Sequence, residues 1–208
     1  MGARPSRPRL AVLCSGAGTN LQAILTAIRG GRLRAQVVLV AGDRAEAPAL
    51  TRARRARVPT AVVAPADYPS RAAYGAALAR LLRRHRVEWV ILAGFMRILT
   101  PGFVRRFTGR ILNVHPALLP AFRGAHAVRD ALACGVTVTG VTIHLVDTQV
   151  DHGPILAQRA VPVRPGDTEA TLRARVHRVE HRLYPQAIQR AVSGRLKIRG
   201  RTVTIQPL

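Results

Sequence analysis

The sequence predicts an α/β fold, a mostly parallel twisted sheet covered by helices on both faces, with antiparallel strands late in the chain. The first half alternates short β-rich apolar runs with stretches of helical periodicity, which is the pattern of βαβ units. The second half breaks that pattern, because residues 136–146 interleave Thr or His with Val, Ile or Leu as an extended strand with two different faces does. With 208 residues, 48% of them hydrophobic and 21% charged, the chain has material for a full core without disulfides.

Residues 10–14 are a β-rich run ending in a glycine-containing turn, and residues 21–28 then take helical spacing. A strand at 37–41, an Arg/Ala helix over about 47–56, a strand at 60–63 and a helix at 70–84 follow. Strands at 87–93 and 110–114 come next, with a short helix from Pro101 between them. Crossovers between such parallel strands are right-handed. Past residue 135, strands at 136–146 and 155–163 are joined through 147–154. Residues 168–191 form a long helix, with Thr168 as N-cap and Asp167 and Glu169 near the positive end of its dipole. Arg199 and Gly200 turn a terminal hairpin between 196–198 and 202–205. Without an internal repeat or a low-complexity linker, residues 1–208 read as one domain with two halves, about 9–110 and about 111–208.

Net charge is the unusual number: 33 Lys and Arg against 10 Asp and Glu give +23. Such a balance invites a nucleic-acid reading. Lys197 is the one lysine, however, and the arginines are scattered over nearly every predicted helix rather than gathered in a stripe or tail. Compositional bias is the better reading, and no nucleic-acid partner is expected. The positive field still favours encounter with small anions. Cys14 and Cys134 are too few for a disulfide scaffold. No apolar run approaches the roughly 20 residues of a membrane span, and the basic start at Met1 to Arg9 lacks a signal-length apolar segment. A soluble, cytoplasmic protein with no membrane partner is expected.

Chemistry concentrates in few places. Cys14-Ser15-Gly16-Ala17-Gly18-Thr19-Asn20 lies between a strand and a helix, where glycines admit a ligand to the backbone and the helix start suits phosphate. It lacks the Lys-Ser/Thr ending of a nucleotide loop and the full dinucleotide glycine pattern, so ATP and NAD are poorly supported. The same segment also reads as a tight βα turn with Thr19 or Asn20 capping the helix. Asn113-Val114-His115-Pro116 closes a parallel strand, and ligands of open α/β sheets bind beyond such strand ends. Strand alternation points Asn113 and His115 to one side, an amide for a developing oxyanion and an imidazole to move a proton. Asp151, in a Gly-Pro turn between the late strands, would raise the pKa of His115 if brought beside it. His144 and His152 are near Asp151 in sequence, but their spacing makes no recognised metal site, and an incidental polar role is expected for them.

The ordered motifs Ser15-Gly16-Ala17-Gly18-Thr19-Asn20-Leu21-Gln22-Ala23, Leu92-Ala93-Gly94-Phe95-Met96-Arg97-Ile98-Leu99, Leu112-Asn113-Val114-His115-Pro116-Ala117-Leu118-Leu119-Pro120, Asp151-His152-Gly153-Pro154 and Glu180-His181-Arg182-Leu183-Tyr184-Pro185 together resemble the phosphoribosylglycinamide formyltransferases. The Asn-x-His-Pro and Asp motifs are common to folate-dependent formyltransferases. The opening glycine segment and the Glu-His-x-x-Tyr-Pro motif narrow the likeness. It implies a Rossmann-like N-terminal half binding ribonucleotide phosphate, and a catalytic and folate-binding half. The reaction implied is formyl transfer from 10-formyltetrahydrofolate, a co-substrate, to the amino group of glycinamide ribonucleotide, with no metal. Catalysis is carried over to Asn113, His115 and Asp151. Gly18, Thr19, Asn20, His177 and Glu180 would take the ribonucleotide. Folate would meet Arg71, Met96, Arg97, Ile98, Leu99, Asn113 and the loop Asp147, Thr148, Gln149, Val150 and Asp151.

The chain departs from that pattern at Gly42-Asp43, where the family resembles Ser-Asn, at Ala117, often Ser, and at His152, where a small residue is common. A formyltetrahydrofolate hydrolase would call for an added N-terminal domain and a methionyl-tRNA formyltransferase for a C-terminal extension. An Arg-rich nucleic-acid module with a degenerate catalytic shell would instead show salt-steep binding and no transfer. A homodimer is left open.

Overall fold

In the computed structural model, which describes residues 7–207, β1 (Arg9–Cys14) is the buried centre of the parallel half. Alternation along it sends Leu10, Val12 and Cys14 into one hydrophobic core and Ala11 and Leu13 into the other. A strand apolar on both faces needs helices on both, and the chain supplies them. Met1–Ser6, where the basic start begins, and Leu208 lie outside the described residues.

The elements run α1 (Thr19–Arg29), β2 (Gln36–Gly42), α2 (Pro48–Arg55), β3 (Thr60–Val62), α3 (Arg71–Arg84), β4 (Trp89–Leu92), α4 (Pro101–Arg106), β5 (Ile111–His115) and α5 (Ala127–Ala133). After them come β6 (Val138–Leu145), β7 (Ile155–Pro162), α6 (Glu169–Ser193), β8 (Gly194–Arg199) and β9 (Thr202–Pro207). The sheet order is β3-β2-β1-β4-β5-β6-β7-β9-β8. Strands β1 to β5 pair in parallel, β6 is antiparallel to β5, and β7 is antiparallel to β6. The order reverses at β1, so the loops leaving β1 and β4 open side by side at one rim, where open α/β sheets bind ligands. Leu21 and Ile24 of α1 and Val176, Tyr184 and Ile188 of α6 fill one core, while Leu78 and Leu82 of α3 and Phe103 of α4 fill the other.

Helix starts follow their side chains. Ser70 accepts the Ala73 N–H at 3.1 Å, and Thr100 accepts the Phe103 N–H at 3.3 Å ahead of Pro101. Thr168 caps α6 as expected, in a reciprocal box with Thr171. Asp167 does more than sit near a dipole: Arg175 grips it with Nη1 and Nη2 at 2.6 and 2.8 Å, holding its carboxyl well below the usual carboxylate range.

Helix α5 and a one-turn 3-10 helix at Pro65–Asp67 are elements the sequence does not announce. Seven residues make fewer than two turns, too few for an apolar period to register. The side chain of Tyr184 crosses the core to the sheet, where its hydroxyl meets the carbonyls of Leu92 at 3.0 Å and Leu112 at 2.9 Å. Tyr184→Phe keeps the ring and strips both carbonyls of that donor, so unfolding free energy should fall by about 1–2 kcal/mol. Urea denaturation reads this directly, and an unchanged midpoint would mean the hydroxyl contributes nothing.

Candidate active site

The end of β5 and the connection between β6 and β7 build the centre. Asn113 on β5 faces His144 on β6 across an antiparallel pair, and His115 lies two residues further along the same strand face. The segment after β6 returns Asp151 to these side chains. Its Oδ2 lies 3.3 Å from His115 Nδ1 and accepts the Gly124 N–H at 2.9 Å. Its Oδ1 accepts from Asn113 Nδ2 at 3.4 Å and stands 3.6 Å from His144 Nε2. The three residues named as catalytic from sequence therefore share one small volume. Asp151 holds its place with φ 47°, a left-handed backbone that Asp and Asn tolerate better than other side chains.

His144 is the residue that sequence reasoning passed over. It is 2% exposed, and its Nδ1 lies 2.9 Å from the Leu145 carbonyl, which can only accept. The hydrogen therefore belongs on Nδ1, leaving Nε2 to accept from Asn113 Nδ2 at 3.2 Å. His144 thus fixes which way the Asn113 amide turns. The available signal was the alternation of residues 136–146, which puts His144 and Thr142 on one strand face. Thr142 is also buried, donating to the Ala117 carbonyl at 2.7 Å and accepting the Leu119 N–H at 3.0 Å, so it ties down the turn that follows His115.

At the end of β1, Gly18 sits at the N-cap of α1 with φ 72°, and a Cβ there would collide with Ala49 of α2, so both backbone and space require glycine. Arg44 donates to the Ser15 carbonyl at 2.8 Å and Arg52 to the Ala17 carbonyl at 2.8 Å, placing guanidinium groups around the loop that sequence alone did not name. Thr19 opens α1. Asn20, buried, donates through Nδ2 to Glu180 Oε2 of α6 at 2.7 Å. Burial raises the Glu180 carboxyl, and the Asn20 hydrogen bond works against that. His177 lies one turn before Glu180, half-buried, with its ring stacked on His181 at 6.0 Å.

The residues named for folate fall into separate groups. Arg71, Met96, Arg97 and Ile98 line a cavity of about 440 Å³ with Tyr68 and Tyr74, which sequence reasoning did not name. Leu99 packs against the core behind it. Asp147, Thr148, Gln149 and Val150 form the loop leading to Asp151, and Val150 is exposed there. His152, a departure from the expected small residue, holds Asp147 at 2.7 Å through Nδ1 and so props that loop. No group of three metal-binding side chains occurs among the described residues, and none of the described helices is long and apolar enough to cross a membrane.

With this geometry in view, comparison with known proteins is direct. The formyl transferase family profile matches residues 8–188. The chain belongs to the formyl transferase family. A phosphoribosylglycinamide formyltransferase of Mycobacterium tuberculosis is 50% identical over 202 residues, covering 97% of this chain and 93% of that protein. The crystal structure of glycinamide ribonucleotide transformylase 1 from Symbiobacterium toebii superimposes with TM-score 0.95 at 51% identity, covering 97% of this chain and 95% of the other. The trifunctional purine biosynthetic protein adenosine-3 of Bos taurus is 44% identical over 195 residues, but this chain spans only 19% of it and 14% of its Drosophila pseudoobscura counterpart.

In this formyl transferase Asp151 does push the His115 pKa up, as expected of an acid beside it, but burial outweighs that push. Burial lowers its pKa from 6.5, and the Asp151 carboxylate and the Phe122 carbonyl, 2.8 Å from Nε2, push it back only in part. The ring is thus neutral near pH 7, with an acceptor waiting at each nitrogen for the charged form. Burial also pushes the Asp151 carboxyl up, but His115 and the Gly124 N–H bring it below its ordinary value. His177 and His181 are lowered like His115, by burial first. An unfolded chain protonates these three histidines as the pH falls through about 6.5, whereas the folded chain resists until lower pH, so stability falls across that window. Glu180 acts in the opposite sense, one group against three. The thermal midpoint should therefore drop between about pH 7 and about pH 5.5, and His177→Gln should flatten part of the slope. A midpoint constant over that range would contradict the assignment.

Proposed function

We propose that this formyl transferase moves the formyl group of 10-formyltetrahydrofolate to the amino group of 5-phosphoribosylglycinamide, giving N-formylglycinamide ribonucleotide and tetrahydrofolate in purine synthesis. The observation that carries the reading is the meeting of Asn113, His115 and Asp151 at one strand end, with Asn113 and Asp151 38 residues apart in the chain. The backbone of Gly18, Thr19 and Asn20 at the start of α1 suits a phosphate. Glu180 and His177 on α6 are suited to the ribose and glycinamide portion. The cavity beside Arg71, Met96, Arg97 and Ile98, backed by Leu99, suits the folate, with the 147–151 loop and Asn113 on its reactive side.

Attack of the amine on the formyl carbon forms a C–N bond and turns the formyl oxygen into an oxyanion. Donors for that oxygen are the Asn113 N–H that exchanges its long 3.4 Å contact with Asp151 for the oxyanion, and His115 in its charged form, which exchanges the Phe122 carbonyl for it. The attacking nitrogen sheds a proton, and the folate nitrogen must gain one as its C–N bond breaks, so the protons balance within the site. His115, neutral beforehand, takes up the proton as negative charge grows beside it, because an adjacent anion favours imidazolium. Asp151 stays ionised, orients that ring through Nδ1 and holds the water through which the proton passes to the folate nitrogen. Holding two substrates in register supplies much of the rate. The test is formation of formylated glycinamide ribonucleotide from the two purified substrates with no ATP or metal added. Absence of product at saturating substrate would reject the reading.

A further inference from the structure

Asp43 follows directly on β2 and is 4% exposed. Its Oδ2 accepts from Arg97 Nε at 2.6 Å, while its Oδ1 is buried with no partner among the described residues. A buried carboxylate with one oxygen left unsatisfied is a poor stabilising device, since a packed apolar side chain of the same volume is often as good or better. What this carboxylate does achieve is geometric. A guanidinium is planar, so fixing Nε fixes the directions of the terminal nitrogens. Those terminal nitrogens have no protein acceptor among the described residues, and the Arg97 side chain, half exposed, lines the cavity together with Arg71. The backbone beside Arg97 is fixed independently. Met96 donates its N–H to Ser15 Oγ at 2.9 Å, and Ser15 donates its own to the Gly94 carbonyl at 3.0 Å. Cys14 and Tyr74 also feel Asp43. Each is pushed up to about 12, by burial first and by the charge of Asp43 second, so neither is a rival anion for Arg97.

We propose that Asp43 is a positioning residue for the folate substrate: it grips Arg97 from the buried side and turns the terminal guanidinium nitrogens into the cavity, where they take the carboxylates of the glutamate tail. The inference rests on the folate reading given under the proposed function. Asp43 bears a charge opposite to Arg97, so two effects compete. A gripped Arg97 is well aimed but partly neutralised, whereas a released one is a freer cation with no fixed direction. Positioning predicts that losing Asp43 weakens the substrate; neutralisation predicts that it tightens it.

Steady-state kinetics on the full chain separates these. Asp43→Ala should raise the KM for 10-formyltetrahydrofolate about tenfold, the scale of one well-aimed charge-assisted contact, with kcat moving far less. Arg97→Ala should raise it similarly, and the double variant should be no worse than Arg97→Ala alone, because Asp43 acts only through Arg97. With 10-formyltetrahydropteroate, which has no glutamate, neither substitution should matter. Asp43→Ser, too short to reach Arg97, gives the same reading should the alanine variant fold poorly. A KM that falls or stays level on losing Asp43 while Arg97→Ala raises it overturns the positioning role. An equal rise with the pteroate substrate overturns it too. If Arg97→Ala itself leaves KM level with both donors, the folate placement fails, and this inference with it.

Discussion

Asp151→Asn is expected to lower kcat by about 10²- to 10⁴-fold, the range for removing a positioned proton-transfer group, with KM for either substrate changed far less. The substitution is nearly isosteric, and Asn is at ease with the φ of 47° at this position, so the backbone has no reason to move. What changes is local. An amide offers one acceptor where the carboxylate offers two, and its NH2 must confront either the Gly124 N–H or the Asn113 amide, both of which donate to Asp151 in the native protein. His115 loses the anion that holds its Nδ1 and steadies its charged form. Steady-state assays with each substrate varied in turn decide the matter. Parental turnover, alongside an unchanged melting curve, would remove Asp151 from the chemistry.

Gly153→Ala is expected to damage the same site from two residues away. A Cβ on Gly153 would collide with the Leu145 carbonyl and crowd the Asp147 N–H, and both are backbone, which cannot swing aside. Here the end of β6 and the start of β7 close a neck, with the Leu145 N–H donating to the Pro154 carbonyl at 2.8 Å. Alanine forces the neck apart, and Asp151 rides on the displaced segment. A misplacement of about 1 Å costs on the order of 10²-fold in rate, and overpacking of this kind costs about 1–3 kcal/mol in stability. Paired kcat and thermal-denaturation measurements should show both losses. Parental values for both would mean the loop absorbs the methyl without moving the carboxylate.

Much of the fold was legible because parallel strands buried on both faces read as short apolar runs. The segment at 10–14 became β1 within a residue, and 37–41 became the heart of β2. The late antiparallel strands showed in the Thr/Val alternation, and the terminal hairpin in Arg199-Gly200. Local pattern could not reach pairings that depend on sheet order. Asp43 and Arg97 are 54 positions apart and meet only because β2, β1 and β4 are neighbours, so Gly42-Asp43 registered merely as a departure from a familiar motif. His144 was undervalued for the same reason, as its partner Asn113 is fixed by the β5–β6 register. The net shift of His115 was not legible because a sequence names the neighbouring acid, which does push the pKa up, but not the depth of burial, and depth prevails here.

The contact of Asn20 with Glu180 spans 160 residues, from the start of α1 to the middle of α6. At roughly 5–20 residues added per second during synthesis, the amide waits roughly 8–32 s for its carboxylate to be made. Until α6 leaves the ribosome, the growing polypeptide lacks the acid that meets Asn20, and the glycine turn before α1 is half of an unfinished clasp. The Asn20–Glu180 clasp therefore closes only after α6 has been made.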